Sequence, residues 1–334
     1  MRIAIVKLSA LGDIVHAMAG LQFIKAARPE LEIDWVVEQG FAEILAENPH
    51  LRRILPVNLK SLKSNKRLLG KELARVRSYA AENYDLVIDA QGLLKSAIVA
   101  RLLSPHCAGF DRRSIREPAA AWFYRNRVSC DYAGNTLERN LAVLTQPLGI
   151  RLAPEALMRK QAYLFFRPPA ADLAAYFNAR QFNIVLVIGS TWPSRNYPLD
   201  LYLRVIQGLP GNKWICWGSS GEWRGAQWLS ERSDAQILPR LNLNDLKAVM
   251  AGADLVIGND TGPTHMAWAL NRPSLTLFGP TPVSRIWLTE DNLALKSPSP
   301  VNPRRLNKND FSLNRIAPAQ VLEHALFLLG RNPR

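Results

Sequence analysis

Apolar and polar positions along this 334-residue chain fall into short hydrophobic runs separated by longer stretches with apolar residues every three or four positions. In the first half the runs are Ile3–Leu8, Ile33–Val37, Ile54–Val57 and Leu86–Ile88, with a weaker one at Ala108–Phe110. Short runs rich in β-branched residues predict strands covered on both faces. The segments between them, such as Ile14–Ala27 and Lys71–Glu82, carry helical spacing. This alternation predicts a doubly wound parallel sheet of the α/β class. A polar, proline-containing stretch at Arg167-Pro-Pro169 interrupts the pattern. It restarts with Ile184–Ile188, Trp214–Trp217, Ile237–Leu238, Leu255–Ile257 and Leu275–Phe278. The expectation is two Rossmann-like domains, residues 1–168 and 169–334, with a cleft between them. The amphipathic final segment, Pro318–Leu329, has a stripe that could return to the first domain.

Composition narrows the class. The chain is 48% hydrophobic and 21% charged, which makes it globular. Forty-two Lys and Arg against 28 Asp and Glu leave a net charge of +14 and point to an anionic partner. Cys107, Cys130 and Cys216 are widely spaced, suit a reducing cytosol and offer no zinc pattern. Arg2, the apolar stretch and Ala17-Met-Ala19 mimic an export signal, but Lys7 and Asp13 interrupt it, so a cytoplasmic protein is expected. No apolar run approaches the ~20 residues of a bilayer span, which leaves contact with a membrane from inside. A nucleic-acid partner is set aside, because no binding module or aromatic stacking platform stands beside the charges. A nicotinamide dehydrogenase is set aside because the first turn lacks Gly-x-Gly-x-x-Gly.

Candidate chemistry sits at strand ends. The first run ends in the turn Ser9-Ala-Leu-Gly12, and Asp13 stands where a helix should begin, with His16 one turn on. A carboxylate there is favoured by the helix dipole and stays ionised, which suits a catalytic base facing a cleft. A plain helix cap is the competing reading. In the second half the loop Gly189–Pro198 follows a strand and brings Ser190, Thr191 and Arg195, a set suited to a pyrophosphate. The turn Trp217-Gly-Ser-Ser-Gly-Glu222 offers Glu222 either to ribose hydroxyls or as a helix cap. The strongest signal is Ala253–His265. The strand ends at Asn259-Asp260, Thr261 or Gly262 caps a helix, and Pro263 fits the first helical position. The free N–H groups there form an anion site within reach of His265.

Together these motifs resemble the heptosyltransferases of lipopolysaccharide inner-core assembly. The resemblance rests on Val6-Lys-Leu-Ser-Ala-Leu-Gly-Asp13, Asp34-Trp-Val-Val-Glu38, Tyr84-Asp-Leu-Val-Ile-Asp-Ala-Gln-Gly-Leu-Leu-Lys-Ser96, Arg116-Glu-Pro118, Trp217-Gly218 and Asp260-Thr-Gly-x-x-His265. The Asp-Ala-Gln-Gly-Leu-x-Lys-Ser and Asp-Thr-Gly-x-x-His segments are its specific parts. It implies a GT-B fold with two sheets facing across a cleft, and an inverting glycosyltransferase. The implied donor is ADP-L-glycero-β-D-manno-heptose and the implied acceptor Kdo2-lipid A, met at the cytoplasmic face of the inner membrane by a peripheral enzyme. Asp13 would be the general base on the acceptor hydroxyl, contributing ~10²–10⁴-fold. Ser190, Thr191, Arg195, Glu222, Asp260, Thr261, Gly262 and His265 would hold the donor. The family's donor-loop lysine stands here as Arg195, a fork in place of a point charge, and its threonine pair as Ser190-Thr191. The chain has no Asp-x-Asp, so no metal or other cofactor is expected, and Arg195 with the helix at Gly262 would take the charge of departing ADP.

Such an acceptor is a polyanion. Lys60, Lys63, Lys66 and Arg67, with Lys71, crowd one polar stretch, and Arg113 and Arg116, with Arg112, another. They suit an acceptor groove or a merely solvated face. Gln91 and Lys95 follow the Leu86–Ile88 strand and could reach the same cleft. Transfer of the second heptose with the same donor, and a non-catalytic sugar-nucleotide binder with no use for Asp13, are the rival readings.

Overall fold

Each apolar run of the first half becomes a strand: β1 (Arg2–Val6), β2 (Glu32–Glu38), β3 (Arg53–Val57), β4 (Leu86–Asp89) and β5 (Cys107–Phe110). A sixth, β6 (Asn126–Val128), joins them. All pair in parallel in the order β3-β2-β1-β4-β5-β6. The second half repeats the pattern with β7 (Asn183–Val187), β8 (Asn212–Cys216), β9 (Gln236–Ile237), β10 (Leu255–Asn259), β11 (Ser274–Phe278) and β12 (Asn292–Lys296). Its parallel order is β12-β11-β10-β7-β8-β9, the same doubly wound topology read from the other edge. The computed structural model describes residues 1–169 and 172–331, apart from the side chains of Lys63, Pro154 and Ala174. The two units are Met1–Phe165 and Phe166–Arg334, so the seam falls just before Pro168-Pro169.

The first unit carries α1 (Leu11–Ala27), α2 (Leu69–Ala80), α3 (Leu94–Leu103) and α4 (Thr136–Thr145). Helix α1 packs on α4, and α2 on α3. Residues Ile14 to Leu21 of α1 are all buried, His16 among them, so this helix is enclosed around most of its circumference. Asp34 breaks the apolar run of β2, and its buried carboxylate is satisfied by the Tyr84 hydroxyl at 2.6 Å and by the Arg52 guanidinium.

The second unit carries α5 (Leu199–Gly208), α6 (Ser220–Ser230), α7 (Leu243–Gly252), α8 (Gly262–Ala269) and α9 (Pro318–Arg331). Alternate strand residues Ile184, Leu186, Ile215, Leu255, Ile257, Leu275 and Leu277 share one core with Tyr202 and Val205 of α5 and Leu229 of α6. The other parity, with Val185, Val187 and Val256, is buried as well, which is why these strands read as unbroken apolar runs. The apolar stripe of α9 packs within the second unit. Val321, Ala325, Leu328 and Leu329 lie in the second unit's own core, against α5, β10 and β11. Among the described residues no helix is long and apolar enough to cross a membrane.

Candidate active site

Parallel strands place every strand-to-helix loop of a sheet on one edge. Ligands of doubly wound sheets bind at that edge where the strand order reverses. In the first unit the reversal lies between β1 and β4, the strands that precede Asp13 and Gln91. In the second it lies between β7 and β10, which precede Ser190–Arg195 and Asp260–His265.

Asp13 occupies the first turn of α1 and is half-exposed. Its Oδ2 accepts from the Ala10 N–H at 3.2 Å, so it caps the helix while keeping solvent access. The loop that carries it is fixed from β4. Gln91 Oε1 accepts from the backbone N–H groups of Leu8 (3.0 Å) and Ser9 (3.1 Å). Gln91 is placed in turn by Asp89, which accepts from the N–H groups of Gln91 (2.8 Å) and Gly92 (3.1 Å) and the hydroxyls of Ser96 (2.7 Å) and Tyr124 (2.7 Å). Burial pushes the Asp89 carboxyl above its ordinary value, against the pull of these donors. Gly92 turns with φ +69°, a left-handed conformation that glycine adopts without a Cβ clash. The Asp-Ala-Gln-Gly-Leu-x-Lys-Ser segment is therefore a bracket for the Asp13 loop. Beneath it Lys7 is buried, donating to the Ala90 carbonyl (2.7 Å) and Asn140 Oδ1 (3.3 Å). Burial lowers its pKa, with Asp13 and Asp89 opposing.

The sequence-predicted cations stand on loops of the same edge. The roots of β3 and β5 lie about 10 Å to either side of β1, at roughly 4.8 Å per strand. After β3, Lys60, Lys66 and Arg67 are exposed on two short 3-10 turns, with the Lys60 ammonium 4.5 Å from the Phe41 ring centre. The Lys63 side chain lies outside the described residues. After β5, Arg113 and Arg116 are exposed on a turn closed by Asp111, which accepts from the N–H groups of Arg113 (3.1 Å) and Ser114 (2.9 Å). Lys95 is exposed in the first turn of α3, whose Leu94 N–H donates to Glu117 of that neighbouring loop at 2.8 Å.

In the second unit four adjacent strands, β11, β10, β7 and β8, each deliver polar groups to the edge. Asp260 follows β10 and is only 2% exposed. His265 Nε2 lies 2.9 Å from its Oδ1. Its Oδ2 accepts no hydrogen bond, yet it lies 3.6 Å from the Arg285 guanidinium and 3.9 Å from that of Arg195. Burial alone would raise this carboxyl, but Arg285, His265 and Arg195 outweigh it and hold it well below the usual carboxylate range. Thr261 is the N-cap of α8 without a side-chain cap bond, and the helix begins at Gly262. Pro263 takes the second helical position, one later than its spacing suggested.

Arg195 Nε donates to Ser190 Oγ at 2.9 Å, and its guanidinium lies 5.1 Å from the Trp192 ring centre, so β7 presents a braced cation. Thr191 beside it is exposed. Glu222 caps α6 reciprocally with Ser219, its Oε2 accepting from Gly218 N–H (2.6 Å) and Ser219 N–H (3.3 Å). A Cβ on Gly189 would sit 2.1 Å from Glu222 Cδ, so glycine there lets this carboxylate lie against the Ser190 loop. Asn259, read from the sequence only as a strand end, and Arg285, which the motifs did not mark, complete the arrangement. Asn259 ties β10 to the β7 loop, donating to the Ile188 carbonyl (2.9 Å) and accepting from Tyr197 N–H (3.0 Å). Arg285 arrives from the turn after β11; the Gly279-Pro-Thr-Pro282 punctuation after an apolar run was the signal that marked that loop.

The profile of glycosyltransferase family 9 (heptosyltransferase) matches residues 73–302. Lipopolysaccharide heptosyltransferase 1 of Campylobacter coli is 34% identical, across 99% of both chains. The Pseudomonas aeruginosa protein of the same name is 37% identical over 84% of this chain and 79% of its own. Among solved structures, E. coli heptosyltransferase WaaC with ADP-2-deoxy-2-fluoro heptose superposes with a TM-score of 0.78 at 26% identity, covering all of both chains. The two doubly wound halves are thus those of a GT-B-like α/β fold, and the chain belongs to glycosyltransferase family 9, the heptosyltransferases.

Proposed function

We propose that this enzyme transfers L-glycero-D-manno-heptose from ADP-L-glycero-β-D-manno-heptose to a Kdo residue of Kdo2-lipid A, as lipopolysaccharide heptosyltransferase I. The observation that carries the reading is Asp13: a half-exposed carboxylate on a loop braced by Gln91, at the reversal point of its sheet. Asp13 takes the proton of the acceptor hydroxyl as that oxygen attacks the anomeric carbon. The bond from that carbon to the ADP oxygen breaks on the opposite face, and its electron pair leaves on the diphosphate. The configuration inverts, by the geometry that inverting glycosidases use with water. Arg195 and the first N–H groups of α8 take the developing charge, with no metal or cofactor. Glu222, Ser190, Thr191, Asp260 and His265 line the same donor site. Lys60, Lys63, Lys66, Arg67, Lys95, Arg113 and Arg116 meet the carboxylates and phosphates of the acceptor, holding a peripheral enzyme on the cytoplasmic face of the inner membrane.

Transfer of the first heptose is favoured over the second because the relatives at 34% and 37% identity both carry the name heptosyltransferase 1. Offering Kdo2-lipid A and its heptosylated form side by side tests this; preference for the heptosylated acceptor reverses the assignment. Asp13→Ala tests the mechanism. Transfer is expected to fall ~10²–10⁴-fold while ADP affinity holds. Undiminished transfer removes Asp13 as the base.

A further inference from the structure

We infer that Arg285 is a second ligand of the donor diphosphate, forming with Arg195 a two-guanidinium clamp at the N-terminus of α8. The inference rests on the reading of this unit as the ADP-sugar site and adds a residue to it. Arg285 and Arg195 come from different loops, after β11 and β7, yet both converge on Oδ2 of Asp260 at 3.6 and 3.9 Å. Those separations are ion-pair contacts beyond hydrogen-bond reach. The carboxylate oxygen between them is buried and accepts no hydrogen bond. Two guanidiniums from separate loops thus flank one carboxylate oxygen, while the other oxygen of Asp260 is taken by His265. The first turn of α8 adds further donors, since Thr261 offers no side-chain cap. Asp260 therefore acts as a spacer that keeps two guanidiniums from repelling each other apart. A diphosphate supplies the oxygens that each fork can reach at hydrogen-bond distance, with bidentate geometry that a lysine cannot reproduce. Arg285 keeps about a third of its side chain exposed, so it is open to such a ligand.

Titration of the full-length protein with ADP and with adenosine tests the assignment, using wild type, Arg285→Gln, Arg285→Lys and Arg195→Gln. Arg285→Gln is expected to weaken ADP about 10- to 100-fold, the range of a lost charge-assisted contact, and to leave adenosine within about twofold. Arg285→Lys should recover part of the loss, and the donor KM should rise in parallel. ADP affinity within about twofold of wild type in Arg285→Gln, with Arg195→Gln impaired, overturns the clamp and leaves the donor site standing. An equal loss of adenosine also overturns it, by marking a general collapse. Wild type that fails to bind ADP removes the donor-site reading itself.

Discussion

Replacing Gln91 with Met separates two roles that its position allows. The sequence offers Gln91 as an acceptor ligand, whereas its Oε1 is committed to the N–H groups of Leu8 and Ser9. Met keeps the length and removes the acceptor. Each lost hydrogen bond is worth roughly 0.5–1.5 kcal/mol net, so two come to about 1–3 kcal/mol. For a unit of this size the melting temperature should fall by about 2–12 °C. The same loop carries Asp13, and a base displaced by about 1 Å can lose ~10²-fold in rate. Steady-state assays should therefore show kcat falling strongly and acceptor KM moving by less than about threefold. Gln91→Glu, which retains both acceptor sites, should restore most of the thermal stability. A rise in acceptor KM with unchanged kcat and melting temperature would refute the bracing argument and return Gln91 to the acceptor.

Two further outcomes concern pH. The folded Asp260 carboxyl titrates below its ordinary 3.8, so its contribution to stability is complete above that value and is lost as the solution is acidified beneath it. The melting-temperature gap between wild type and Asp260→Asn should thus be constant from pH 7 to about 5 and narrow below about 4; a gap that widens in acid contradicts the ion-pair account. Burial pushes the Lys160 ammonium down to about 7 from 10.5. Between those values the unfolded chain binds the proton and the folded one does not, so stability rises with pH across that window. Lys160→Met should raise the melting temperature most below pH 7 and progressively less towards pH 10, as calorimetry across that range would show.

Much of the architecture is written in local pattern. Strands covered on both faces are mostly apolar, so ten of the twelve described strands, the edge strands β3 and β9 included, announced themselves as runs, from Ile3–Leu8 to Leu275–Phe278. The two that did not, β6 and β12, are edge strands, three residues long in one case and half polar in the other, where one side faces water and periodicity fades. The placement of Asp13, Arg195 and Asp260–His265 at strand ends and helix starts was also legible, because such positions have fixed residue preferences.

What the chain by itself determined is therefore the list of elements, their α/β alternation and the strand-end positions of the polar groups. Tertiary structure decided what those groups touch. Only strand order brings the Gln91 loop beside that of Asp13, and the Arg285 turn beside Asp260, across 78 residues in the first case and through a β10–β11 neighbourhood in the second. Only packing sent the stripe of α9 into the second unit's core. A side chain's local preference is set by its neighbours in sequence, but its charge and hydrogen bonds are settled by whichever strand lies about 5 Å away, and that choice is made by the whole sheet.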